Sequence, residues 1–218
     1  MRLIALATVF ALAGAASAWA DAQSDLARFL TTPSEQQAIR ENAIADWNLS
    51  SAPCPAAQGA LVDVAFYKTP TFNQAGVPVS GAWKLKTRWT GCGRSKTFNL
   101  FYNMVPGGQS SRTALLPGTT IADPLLQRDG IRYARLAAEA NGPKSPACNT
   151  VRVVDTAFGA YGAPAPNVRP GADPRSWTEN WTVDACGTAT IVKLSFLPDA
   201  TGTTISAGVD KTAKPPAR

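Results

Sequence analysis

Two stretches of the chain decide its fold: Trp83–Gly93, which reads WKLKTRWTGCG, and Trp177–Gly187, which reads WTENWTVDACG. The second begins 94 residues after the first, and in both a tryptophan precedes a Cys-Gly pair by nine residues. In the first stretch apolar or aromatic side chains alternate with basic ones, which is the period of a β-strand with one buried face. We predict a core strand at each position, ending in a turn at the Cys-Gly pair.

The cysteines follow the same period. They are Cys54, Cys92, Cys148 and Cys186, and 38 residues separate the first from the second and the third from the fourth. An even number of cysteines in an exported chain is typical of disulfides, although four cysteines alone allow three pairings. The common spacing favours Cys54–Cys92 and Cys148–Cys186, one bridge in each half of the chain.

Other segments match at similar offsets. The strand-like runs Leu61–Tyr67 and Val151–Phe158 correspond, and Gly118–Ile121 matches Gly202–Ile205 after a shorter connection. Matches that recur in the same order favour an internal duplication over chance similarity between common residues. We interpret the chain as two tandem repeats with a period of 94 residues.

Each repeat is expected to begin with a helix. In the first, Thr32–Glu35 has the residues of a capping box, and helical spacing of apolar residues continues to Trp47. A shorter helix is predicted over 22–30. In the second repeat, Asp123-Pro124 begins a helix that Gly130 is expected to interrupt.

Three strands follow in each repeat, with long Pro/Gly loops at 69–81 and 159–175. A short fourth strand is predicted at Thr119–Ile121 and at Thr203–Ala207. The predicted fold class is α+β, with two tandem αβββ(β) repeats whose antiparallel sheets pack on helices, and one disulfide per repeat. The alternative is a pair of β-sandwich domains with linking helices.

The N-terminus has the features of a secretory signal peptide. Arg2 precedes an uncharged apolar run, and Ala16–Ala20 offers two small-x-small cleavage sites. The run is short for a membrane span, and no later stretch is apolar enough for one, so we expect no transmembrane segment after cleavage. The predicted divisions are a signal peptide at 1–20, an N-terminal helical segment plus repeat 1 at 21–121, repeat 2 at 122–208 and a disordered basic tail at 209–218. The predicted localisation is periplasmic or secreted.

Composition and charge exclude several classes of protein. Charged residues make up 17% of the 218 residues, and glycine and proline number 17 each, which argues against a coiled coil or a charge-driven disordered chain. The net charge of +6 is partly in the C-terminal tail. It suits contact with an anionic envelope surface but is too small to indicate nucleic-acid binding.

The absence of histidine from the sequence removes most catalytic chemistry. Ser-His-Asp and Cys-His catalysis and the usual imidazole metal sites are excluded, and oxidised cysteines supply neither a thiolate nucleophile nor a zinc site. We therefore predict no catalytic residue, no metal and no cofactor. Catalysis by a carboxylate pair stays open, because Asp63 and Asp155 match between the repeats, but a turn or cap role is expected of them. Three glutamates, Glu35, Glu41 and Glu139, are expected on solvated helix faces.

The polar face of the first tryptophan strand is the candidate binding surface. Lys84, Lys86 and Arg88 follow one another at period two, and Arg94 and Lys96 extend the row. Such a row suits an unidentified envelope protein with an acidic surface or an anionic polymer. The alternative is a solvated sheet face that discourages edge pairing.

The tryptophans allow two interpretations. Their recurrence before the second cysteine of each repeat favours packing in the core, and this is the role we predict for Trp83, Trp89, Trp177 and Trp181. The alternative is a platform on which sugar rings stack.

Together these observations predict a non-catalytic binding or interaction protein of the cell envelope, with an unknown partner. The first alternative is a small carboxylate-dependent enzyme acting on envelope glycans, which requires a cleft with paired acids and exposed tryptophans. The second alternative is a purely structural envelope protein.

Overall fold

The structure is a computed structural model that describes residues 13–50, 52–141 and 150–210. Within these ranges the helices are α1 Ala13–Leu30, α2 Pro33–Ser50 and α3 Pro124–Asn141. The strands are β1 Gln58–Phe72, β2 Pro78–Gly91, β3 Arg94–Met104, β4 Ser111–Leu115, β5 Val151–Pro164, β6 Arg175–Ala185, β7 Thr188–Pro198 and β8 Thr203–Val209.

The strands form two antiparallel four-stranded sheets. Sheet 1 has the order β1-β2-β3-β4 and sheet 2 has the order β5-β6-β7-β8, so each strand lies beside its neighbour in sequence. Helices α1 and α2 pack on sheet 1, and α3 packs on sheet 2. The predicted α+β class is therefore confirmed. The alternative of two β-sandwich domains is wrong, because helices cover the core face of each sheet.

Aromatic side chains fill the space between each sheet and its helices. Trp47 of α2 and Trp83 of β2 are fully buried, and the Trp83 ring stacks on Tyr102 with centroids 4.8 Å apart. In the second core Trp177 stacks on Phe196 at 4.7 Å. Burying such rings removes a large apolar area from water, which makes them the main stabilising contacts of each core.

A disulfide joins the segment just before β1 to the turn between β2 and β3. Cys54 and Cys92 are bonded with their Cα atoms 6.1 Å apart, as the common cysteine spacing predicts. Cys92 and Gly93 form a two-residue hairpin loop with φ of 51° and 71°, the left-handed conformation that such a loop requires. Cys186 is also disulfide-bonded. Cys148 lies outside the described residues, so its pairing stays a prediction.

The N-terminal helix is longer than its sequence pattern predicts. The segment 22–30 is helical, but α1 begins at Ala13 and continues through the predicted cleavage region. Residues 1–12 of the predicted signal peptide, and 211–218 of the predicted tail, lie outside the described residues.

Both predicted helices begin at the expected proline, but only one start has the predicted cap. Asp123 caps α3, because its Oδ1 accepts hydrogen bonds from the backbone N–H groups of Leu125 and Leu126 at 2.8 and 2.9 Å. The capping box predicted at Thr32 is wrong. Its hydroxyl donates to the carbonyl of Phe29, and Glu35 turns inward instead.

The fourth strand of sheet 1 is not where the sequence comparison places it. β4 is Ser111–Leu115, whereas Gly118–Ile121 lies between β4 and α3. The corresponding segment Gly202–Ile205 enters β8, so this part of the predicted match between the halves is wrong. Gly118, with φ of 100°, departs from strand geometry.

The predicted lengths of the two Pro/Gly loops and the predicted interruption of α3 are also wrong. β1 extends to Phe72 and β5 to Pro164, so the connections to β2 and β6 are shorter than predicted. The register is irregular where β1 passes Pro70. Helix α3 is continuous at Gly130, which lies against Trp181. A Cβ added at Gly130 would lie 2.6 Å from Cη2 of that ring, so close packing explains the glycine.

Candidate functional site: the outer face of sheet 1

Side-chain alternation along β2 divides tryptophans from cations as predicted. Trp83 and Trp89 are buried on the side facing the helices. Lys84, Lys86 and Arg88, here called the basic row, lie on the opposite side, the outer face of sheet 1. The core role predicted for the tryptophans is confirmed for these two and for Trp181, which is also fully buried.

Lys84 is not available to a partner. Its side chain is only 6% exposed, and its Nζ donates a hydrogen bond to the backbone carbonyl of Thr120 at 3.4 Å. Burial lowers the pKa of the Lys84 ammonium, and the neighbouring Lys86 lowers it further. Lys84 is therefore part of a contact inside the molecule.

Lys86 and Arg88 remain on the accessible part of the outer face. Lys86 is half-buried and Arg88 is exposed. Across the described residues neither takes part in an ion pair within 4.0 Å. The β-register places Asp63 of β1 opposite Lys86, so the surface carries one acid beside two cations.

The two residues expected to extend the row lie elsewhere. Arg94 donates to the carbonyl of Ala52 at 2.9 Å, and its guanidinium lies 5.6 Å from the ring centroid of Trp47. Lys96 pairs with Trp89 in the β-register and so lies on the helix side of sheet 1. The predicted five-residue surface is therefore divided, and Arg94 serves to hold the loop before Cys54.

Lys96 lies near two carboxylates whose pKa is raised. Burial raises the pKa of Asp46 to about 6, an effect that Lys96 opposes. Burial also raises the pKa of Asp155, again opposed by Lys96. Asp155 belongs to sheet 2, so this group of charges lies where the two halves of the chain meet. Its match Asp63 is exposed, and the two acids therefore occupy different environments.

A segment after β4 covers part of the outer face. We call residues 116–123 the strap. On sheet 1, the Asn99 side-chain amide donates to the carbonyls of Leu116 and Gly118 at 2.8 and 3.1 Å. The N–H of Gly118 also donates to the carbonyl of Thr97 at 2.8 Å. These bonds, with that of Lys84, fix the strap across the middle of the sheet.

The same strap is bonded to sheet 2. The N–H of Thr119 donates to the carbonyl of Thr156 at 2.7 Å, and the Thr156 hydroxyl donates to the carbonyl of Pro117 at 2.6 Å. Gly118 lies so close to Thr156 that a Cβ would meet its carbonyl oxygen at 2.0 Å. The strap therefore joins the outer face of sheet 1 to the edge of β5.

Glu179 holds the far end of the strap. It is fully buried on β6 and accepts hydrogen bonds from the indole N–H groups of Trp177 and Trp181 at 3.0 and 2.7 Å. The backbone N–H groups of Ile121 and Ala122 donate to the same carboxylate at 3.0 and 3.3 Å. The alternation Trp177-x-Glu179-x-Trp181 places all three side chains on the core face, but sequence alone does not reveal the strap amides.

A second buried glutamate contradicts a sequence expectation. Glu35, expected on a solvated helix face, is 2% exposed. It accepts a hydrogen bond from the Tyr102 hydroxyl at 2.5 Å, and it forms an ion pair with Arg112 at 3.3 Å. These partners lie on β3 and β4, far from Glu35 in sequence, so helical periodicity could not reveal them.

Neither of two depressions on sheet 2 combines paired acids with an exposed tryptophan. A depression of about 670 Å³ lies along β7 and β8, lined mostly by small and hydroxyl side chains and by one acid, Asp210. A second, of about 340 Å³, adjoins Trp177 and Phe196 and contains no acid. Groups of three or more residues able to ligate a metal are likewise absent from the part of the chain that the structure describes.

Comparisons with known proteins identify no relative. No protein family matches the chain, and neither the curated proteins nor the solved structures include a significant match. Among the described helices none combines the length and apolarity needed to cross a membrane.

Proposed function

We propose that the chain is an exported, non-catalytic interaction protein of the cell envelope that binds an anionic partner through Lys86 and Arg88. The partner is an envelope protein with an acidic surface or an anionic polymer. The strap covers Lys84, which leaves the proposed surface at the end of β2 nearest the Cys92 turn.

The observation that carries this proposal is that several other cations have partners inside the protein, whereas Lys86 and Arg88 make no ion pair among the described residues. Arg112 and Arg152 are ion-paired inside the protein, and Arg94 is bonded to a backbone carbonyl. Within the described part of the chain Lys86 and Arg88 make no ion pair, although they lie on a central strand of sheet 1. Cations that are not neutralised inside the protein are available to attract an anionic partner.

A crosslinking pull-down from an envelope fraction tests the proposed surface. The variant is Lys86→Glu with Arg88→Glu. The matched control is Arg132→Glu with Arg169→Glu, which changes the net charge equally at two other exposed positions. We expect the native chain and the control to retain a partner that the variant loses, with at least about a tenfold reduction in capture.

Equal capture by all three proteins would contradict the proposed surface. No specific capture by any of them would instead favour the purely structural alternative.

We also infer that the halves are tandem repeats of one αβββ(β) unit. The two Cys-Gly turns support this, since Cys186 and Gly187 have φ of 49° and 89° and so match the turn at Cys92. Both halves also have a register shift near the start of their first strand, at Leu61/Asp63 and at Val153/Asp155. Non-reducing peptide mapping should find Cys148 bonded to Cys186, and any other partner for Cys186 would contradict the repeat.

Export is proposed on the signal-like N-terminus and on the disulfide, because disulfides persist in oxidising compartments. Fractionation followed by N-terminal sequencing should find the chain outside the cytoplasm, beginning after Ala18 or Ala20. Since α1 continues across this region, an uncleaved chain beginning at Met1 would indicate that the segment is a structural helix.

A further inference from the structure

Three of the four sheet edges are protected against pairing with another strand. β1 has an irregular register and carries Lys68 and Pro70, and β4 is only five residues long and contains Arg112. β5 is partly covered by the strap through the bonds of Thr156. Bulges, charges, proline, short length and coverage are the usual means by which proteins prevent strand addition.

The edge strand β8 has none of these features. Its sequence, TTISAGV, contains neither a charged residue nor a proline. Its pairing with β7 runs without a register shift from Thr203 to Val209. The 670 Å³ depression follows this edge and is lined by residues of both faces of β8, including Ser206 and Ala207. Among the residues that the structure describes, β8 therefore presents a regular edge that no other segment covers.

We propose that β8 pairs antiparallel with β8 of a second copy of this chain, about a two-fold axis at Ser206. Centring the axis there pairs the whole strand with itself. Ile205 then lies opposite Ala207 of the second copy on the helix side, and Thr204 lies opposite Gly208 on the other. The two sheets 2 become one continuous sheet, and a closed dimer forms because each edge is used once.

Charge complementarity supports the second copy as the occupant. Exposed Lys193 of β7 lies beside Gly208, where a missing side chain leaves open space toward the edge. Across the new pairing, Gly208 faces Thr204 of the second copy. The Thr204 hydroxyl donates to Asp199 at 2.9 Å, so the Asp199 carboxylate lies directly behind it. Two strand spacings, about 10 Å in all, separate Lys193 from Thr204 of the second copy. Opposite charges at this distance still attract each other at low salt.

Symmetry makes this attraction between Lys193 and Asp199 occur twice. The proposal does not depend on the proposed partner surface, because Lys86 and Arg88 lie on sheet 1.

Sedimentation equilibrium of the oxidised protein, purified after export, tests the dimer over about 1 to about 100 µM. We expect a mass twice that of one chain at the upper concentrations. Ser206→Lys places two cations against each other at the axis and should weaken the dimer at least about tenfold, while leaving the exposed position tolerable in the single chain. Ser111→Lys, the same change on the edge of sheet 1, is the control.

A native protein that stays monomeric throughout this range would overturn the proposal. A dimer that Ser206→Lys leaves unchanged would do the same, since the interface would then lie elsewhere. If circular dichroism shows that Ser206→Lys does not fold, Lys193→Glu replaces it. That change should weaken the dimer about threefold or more at low salt, and an unchanged dissociation constant would count against the proposal.

Discussion

At the scale of single residues, the most unusual feature is the buried carboxylate of Glu179. Four N–H groups converge on it, two from indoles and two from the strap. A buried charge is tolerated only where hydrogen bonds replace the water it has lost. Glu179 therefore fastens sheet 2 to the segment that lies on sheet 1.

Glu179→Ala should destabilise the protein by about 3 kcal/mol or more, because it leaves buried donors without an acceptor. Urea unfolding measures the change. Glu41→Ala removes an exposed glutamate on α2 and should change stability by less than about 0.5 kcal/mol. If the Glu179→Ala and Glu41→Ala variants lose similar stability, the strap is not held by this carboxylate.

At the scale of secondary-structure elements, Asp46 makes the packing of α2 sensitive to pH. It lines a cavity of about 10 Å³ between α2 and sheet 1, together with Leu85 and Phe98. Asp46 is half-buried, and the space beside it has room for about one water molecule, so part of its carboxylate is removed from solvent. Burial accordingly raises the pKa of Asp46 from 3.8 to about 6.

The sign of the pH dependence follows from this shift. The folded state binds the Asp46 proton more tightly than the unfolded state, so this group stabilises the fold at low pH and loses that contribution as pH rises through about 6. Asp46→Asn should therefore be more stable than the native protein at neutral pH and should vary less between pH 4 and 7. Urea unfolding across that interval measures both.

The pH dependence due to Asp46 lies in a different pH range from that due to two other acids. Hydrogen bonds lower the pKa of Asp173 and of Asp199 to about 2, so their contributions are lost only at more acidic pH. A native pH slope that persists in Asp46→Asn would show that another group, such as Asp155, causes it.

The strands could be predicted from the sequence because their signals are local. Period-two alternation in Trp83–Trp89 and the recurring Cys-Gly turn suffice to place β2 and β6 and to give the α+β class. Helix α3 was harder, because Gly130 is a usual sign of interruption and only contact with Trp181 explains it. Helix propensity is a local property, so it cannot show that a ring from another element packs against the helix.

The candidate site was predicted only in part for a related reason. Alternation correctly separates Lys84 from Trp83, but it cannot show that residues 116–123 return to cover Lys84. Nor can it show that Lys96 lies on the opposite face from Lys86, since the two belong to different strands joined by a turn. Long-range coverage decides which cations are accessible.

At the scale of the whole molecule, the strap links the two sheets and determines which part of the basic row is free. The strap buries Lys84 in the contact between the two halves, whereas Lys86 and Arg88 remain accessible to solvent. A disulfide and several tertiary hydrogen bonds hold the surrounding framework rigid. The proposed binding surface is therefore the pair of cations that the strap leaves accessible.

Quantitative lysine acetylation, read by mass spectrometry with and without an envelope fraction, tests this account most directly. We predict that Lys86 and Lys193 react in the free protein while Lys84 stays largely unmodified. Adding the envelope fraction should slow modification of Lys86 but leave Lys193 unchanged. If Lys84 reacts as readily as Lys86, the strap does not cover it. If Lys86 reacts at the same rate in both conditions, the outer face of sheet 1 is not the binding surface.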